Sequence, residues 1–231
     1  MTTLQALLAY LSLLPLAVVA AVLIARRRTA QCWAFFAHVL AAMIGPLLLV
    51  RWPERFWNHH FYSAKETVQF VLMALVAFEM WHRTFAALPR ARIRVGFLLL
   101  FALVATAGTL LTIPLDRPGY ETVVTIEVPR QHAGNLALFA VVALGVWWYR
   151  VPVHPFYRAL LGGFGIGLTV DVVSASLLGW LRIPEPALIV VSYLNAGTYV
   201  LISLSWAWAA WRPERVPEPI LSRLQPWAHS W

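Results

Sequence analysis

Four residues sit in apolar stretches of the chain where a polar side chain costs free energy: His38, Glu79, Asp171 and Asn195. An ionisable group at membrane depth is by default a functional hypothesis. A carboxylate or an imidazole there can bind a cation or pass a proton, and an amide can hold a ligand by hydrogen bonds. Counting along the apolar runs at about 1.5 Å per residue places Asp171 and Asn195 at similar depth on consecutive segments. The same count places His38 and Glu79 together, nearer the other face. The spacing therefore predicts two polar pairs, Asp171 with Asn195 and His38 with Glu79. Ser174 lies three residues beyond Asp171, and Ser192, Asn195, Tyr199 and Ser203 form a broken polar stripe on the last apolar segment.

Each residue has a plainer reading beside the functional one. Asp171 and Asn195 can act as hydrogen-bonded glue between helices, worth about 1 kcal/mol per bond or less. Glu79 has Arg83 four residues on, the spacing of an intrahelical ion pair with an arginine able to reach the interface. His38 can be a satisfied core histidine. His59 and His60, joined by Glu66 and His132, are weak candidates for an external metal site, which needs three or four converging ligands.

Other chemistry is excluded. The single cysteine, Cys32, rules out a disulfide within the chain and a cysteine-based metal site. There is no Walker loop, HExxH or GxSxG. Gly162, Gly163, Gly165 and Gly167 lie in an apolar run, where helix packing outweighs phosphate binding. The only lysine is Lys65, so the last segment has none for a retinal Schiff base. No cofactor is expected.

The elements that must carry these residues are membrane helices. Of 231 residues, 61% are hydrophobic and 12% charged, and mean hydropathy is +0.70. A soluble domain carries about 25% charged residues. The hydropathy pattern predicts an all-α polytopic bundle of about seven spans, near 4–25, 32–50, 61–85, 95–113, 133–149, 157–181 and 187–211, followed by a short proline-rich tail over 212–231. The basic residues divide twelve to six between alternate loops, which accounts for all 18 Lys and Arg. That bias predicts the N-terminus outside and the C-terminus in the cytoplasm. The first segment has no basic n-region, and Arg26, Arg27 and Arg28 follow it, so it reads as a retained helix rather than a cleaved signal. The net charge of +8 then orients helices and does not imply nucleic-acid binding.

Much of the tryptophan falls at segment ends, as Trp147, Trp148, Trp206, Trp208 and Trp211 do, which suits interfacial belts. The predicted outer loop over 114–132 contains an alternating β-favouring run at 122–128, expected to form a small cap. Gly163, Gly167, Asp171, Ala175 and Gly179 recur every fourth residue as a small-residue seam for close helix approach.

The run Phe61-Tyr62-Ser63-Ala64-Lys65-Glu66, then Phe78-Glu79-Met80-Trp81 and Arg83 before a basic loop, with Pro184 ahead of a polar last span, resembles a group of small seven-helix bacterial membrane proteins of Acidobacteria-like genomes. The resemblance implies architecture and no activity. The function expected is a non-enzymatic sensor or receptor-like module of the bacterial inner membrane. Its partners would be the lipid bilayer and another membrane protein or a cytoplasmic signalling protein. The alternatives are a structural subunit of a larger membrane complex, or a small transporter or intramembrane enzyme using Asp171 or His38 and Glu79.

Overall fold

The computed structural model describes residues 3–113, 122–181 and 185–212, and the regular structure among them is helical throughout. The long helices are α1 (Thr3–Ala25), α2 (Trp33–Arg51), α4 (His59–Thr84), α5 (Pro89–Leu111), α6 (Val128–Tyr149), α7 (Pro155–Leu181) and α8 (Glu185–Trp211), with a single-turn α3 (Pro53–Phe56) between α2 and α4. Local chemistry sets several ends. The Asn58 carboxamide oxygen accepts the Phe61 N–H at 2.8 Å, capping α4. Pro53 and Pro89 open their helices, where a missing N–H costs nothing. Arg150 closes α6 in the left-handed region at φ 49°.

Five helical stretches are long and apolar enough to cross a membrane: Trp33–Arg51, His59–Thr84, Pro89–Leu111, Thr125–Tyr149 and Pro155–Leu177. Their outward faces are apolar. On α5 alone Ile93, Phe97, Leu98, Leu100, Phe101 and Val104 are exposed, a surface too apolar for water. The chain is a multi-pass membrane protein.

Six helices close a ring. α1 packs on α2, α2 on α4, α4 on α6, α6 on α7, α7 on α8, and α8 back on α1. α5 stands outside that ring, against α6 and, less extensively, α4. The ring is tightened where glycines face large side chains. A Cβ on Gly163 would collide with the Trp206 indole, and one on Gly167 would lie 3.2 Å from Ile202 Cδ1. The predicted small-residue seam thus meets α8 at these two positions. Because Gly163 leaves room, the Trp206 Nε1–H reaches the Ala159 carbonyl of α7 at 3.1 Å. Phe35, Phe164, Phe139 and Trp206 stack and cross in the centre, with Phe139 and Phe164 parallel at 4.5 Å.

The segment over 122–128 differs from the expected strand. Val123–Glu127 is a turn of π-helix leading directly into α6, and the Val128 N–H bonds the Val123 carbonyl. Alternation of β-favouring residues over so short a run is overridden when the backbone can satisfy its polar groups by continuing a helix. The expected cap is therefore a helical extension, and His132 belongs to α6 rather than to a loop. The rest of the predicted outer loop, over 114–121, and all but the first residue of the tail fall outside the described residues.

Candidate functional site

A chamber of about 240 Å³ lies at the centre of the six-helix ring. Every ring helix contributes to it: α1 through Leu16; α2 through His38, Ala42 and Pro46; α4 through Lys65, Glu66 and Gln69; α6 through His132; α7 through Gly163 to Asp171; α8 through Tyr199, Ile202 and Trp206. α5, the helix outside the ring, contributes nothing. From Pro46 to His38 along α2, and from Asp171 to Gly163 along α7, is eight residues, so the chamber follows about 12 Å of the bundle.

Its polar groups gather at the end where α4 and α6 begin. Lys65 Nζ lies 2.6 Å from Glu66 Oε1, and its ammonium stands over the Tyr62 ring at 4.7 Å. The lysine stem lies against α2, where a Cβ on Gly45 would fall 2.8 Å from Lys65 Cδ. His132 stands between two carboxylates, with Nε2 4.0 Å from Glu66 Oε2 and Nδ1 3.5 Å from Asp171 Oδ2. The side chains of Glu66 and His132 are 11% and 18% exposed, whereas that of Asp171 is 39% exposed, so Asp171 is the acid most open to an incoming molecule. At the far end His38 is 2% exposed, lies edge-on to Phe164 at 5.3 Å, and has no hydrogen-bond partner on Nδ1 among the described residues. Gln69, 8% exposed, likewise leaves Oε1 without a partner.

A polar seam supports this end from behind. Glu127, at the close of the π-turn, accepts the Ser63 hydroxyl at 2.8 Å and the Gln131 amide at 3.1 Å. These bonds join α4 to α6 and so hold Glu66 and His132 in register. Asn135, four residues beyond Gln131, is fully buried and has no side-chain partner among the described residues.

Two expected pairings are corrected. Asp171 faces His132, while Asn195 accepts the Ser174 hydroxyl at 3.0 Å. Similar depth did not pair Asp171 with Asn195, because Ser174, three residues beyond Asp171, donates to the Asn195 amide oxygen instead. His38 and Glu79 also part. His38 faces the chamber, while Glu79 pairs with Arg83 at 3.1 Å and accepts the Ala34 N–H at 3.1 Å. Glu79 thus satisfies one of the free N–H groups in the first turn of α2. Tyr199 lines the chamber, and Ser203 is buried without a partner among the described residues. His59 and His60 lie against each other at 3.8 Å, with His59 beside Phe56, Trp57 and Tyr62 in a separate hollow. Among the described residues no group of three or more His, Cys, Asp or Glu side chains is placed to hold a metal ion.

The sequence reading undervalued Lys65, Gln69 and the pairing of Glu66 with His132. The signal was present: Glu127, Gln131 and Asn135 repeat every four residues, and His132 sits beside that stripe. Treating 122–128 as a strand hid it.

Fold and site together define a multi-pass helical membrane protein with an acidic chamber enclosed by six of its helices. No family model, curated protein or solved structure matches the chain.

Proposed function

We propose that this chain is a seven-helix module of the bacterial inner membrane, with the N-terminus outside, that binds a small molecule in the central chamber and passes the bound state to a partner protein. The observation that carries the reading is the chamber itself. Bundles held only by packing fill their centre at crystal-like density, whereas here Asp171, Glu66, His132, His38 and Gln69 line open volume. A largely apolar pocket with a few convergent polar groups is the ordinary form of a small-molecule site. The bound state would pass to the partner through contacts of the described helices with a second membrane protein.

The test is recovery of the occupant. The protein would be extracted in mild detergent, and co-purifying small molecules compared by mass spectrometry with those of Ala42→Phe, which fills the chamber. A compound present with the native chain and depleted in the folded variant is expected. Identical profiles from the two would refute the reading.

One observation favours a second reading, a proton-coupled transporter. The line Glu66–His132–Asp171 has the group types of a proton relay, with an imidazole between two carboxylates. Proteoliposomes would then show proton flux coupled to solute flux, lost in His132→Ala. Absence of any flux in the native protein removes this alternative.

A further inference from the structure

The chamber's groups are unequal in a way that specifies what it takes. Counting histidine as neutral, its lining holds two carboxylates, Glu66 and Asp171, against one ammonium, Lys65. Lys65 is held by Glu66 at 2.6 Å, so the charge left over is that of Asp171.

Two uncharged acceptors stand beside that charge. Among the described residues Gln69 Oε1 is a buried acceptor without a partner. Pro46 lies inside α2 and has no N–H to give the carbonyl of Ala42 four residues earlier, and both residues line the chamber. Among the donors of the lining, Trp206 Nε1–H is already committed to the Ala159 carbonyl. A leftover carboxylate with acceptors beside it is completed by a molecule that brings positive charge and donors. The walls supply the rest of the recognition. Tyr199 offers an aromatic ring, which attracts an ammonium group when water is excluded. Leu16, Met73 and Ile202 offer apolar surface to the remainder of the ligand.

We infer that the chamber binds a small organic cation, an amine or quaternary ammonium whose charged head lies by Asp171 and whose apolar end lies among Phe164, Ile202 and Trp206. This rests on the reading above that the chamber admits small molecules, and it adds the chemical class. An anion of equal size would meet Asp171 with only a lysine already paired to Glu66 to offset it. A neutral molecule would leave the acidic surplus uncompensated in a low-dielectric interior.

The test uses two impermeant thiol reagents of similar size and opposite charge, 2-(trimethylammonio)ethyl and 2-sulfonatoethyl methanethiosulfonate. They would be applied to the full chain carrying Cys32→Ser and Ala42→Cys. Their rate ratio is normalised to the same pair at Glu54→Cys, an exposed position on α3. The expected result is a cation preference of tenfold or more at position 42, retained in Asp171→Glu and falling toward one in Asp171→Asn. A ratio near one with Asp171 intact overturns the inference while leaving an open chamber standing. So does a preference indifferent to Asp171→Asn. Failure of both reagents to react with folded protein overturns the chamber reading itself, and this inference with it. Should Asp171→Asn fail to fold, the ratio measured with Asp171 in place still decides the matter.

Discussion

Asp171 and Glu79 are both acids within apolar helices, yet they do opposite things. Asp171 opens on a chamber and faces a histidine, so its charge is available to a visitor. Glu79 is consumed by the protein: its two oxygens are taken by Arg83 and by the Ala34 N–H. Substitution should separate them. Glu79→Ala strands an N–H at the start of α2 and releases Arg83, and a buried donor left unsatisfied costs about 1–3 kcal/mol. A clear drop in Tm in detergent is expected. Asp171→Asn should leave Tm nearly unchanged, because the amide keeps the volume and relieves a surplus charge. A large loss for Asp171→Asn would show a packing role instead. At this scale the sequence showed which residues were out of place in an apolar helix, His38, Asp171 and Tyr199 among them. It did not show their partners, since depth along a helix says nothing about rotation around it. Asp171 and Asn195 share a depth and miss each other.

The helices meet through small residues placed opposite large ones. A Cβ on Gly163 would fall 2.8 Å from Trp206 Cε2, whereas one on Gly162 meets nothing within 4 Å. Gly163→Leu should therefore destabilise the bundle by about 1–3 kcal/mol through overpacking, while Gly162→Ala should be silent. Equal Tm values for the two would contradict the α7–α8 contact. A similar argument applies to the entry of α6. Arg130 donates to the Thr109 carbonyl at 2.7 Å and to the Thr112 hydroxyl at 2.9 Å, holding the end of α5 against α6. Arg130→Ala should loosen that end, read as faster amide hydrogen exchange over 108–113 with the ring helices unchanged. The small-residue seam was legible because a four-residue period is a helical property. The start of α6 was not, because seven alternating residues fit a strand equally well, and the bonds of the Val128 N–H to the Val123 carbonyl and of Gln131 to Glu127 show the helical register.

At the scale of the molecule, the apolar character of the helices and the membrane class followed from composition alone. The arrangement did not. Nothing in the hydropathy of α5 distinguishes it from α2, yet α2 lines the chamber and α5 stands outside the ring. Ring membership depends on which faces interlock, and that is decided by pairs such as Gly163 with Trp206 and Gly45 with Lys65. An enclosed polar centre with an apolar exterior makes one demand above all others: water must reach Asp171 through protein and not through lipid. The most direct measurement is thiol accessibility in intact cells, with Cys32→Ser as background. Asp171→Cys would be compared with Phe101→Cys, which lies on the exposed face of α5. An impermeant reagent added outside should label position 171 and spare position 101. If position 171 stays unreactive in folded protein, the chamber is sealed, and the polar groups are contacts between helices rather than a binding site.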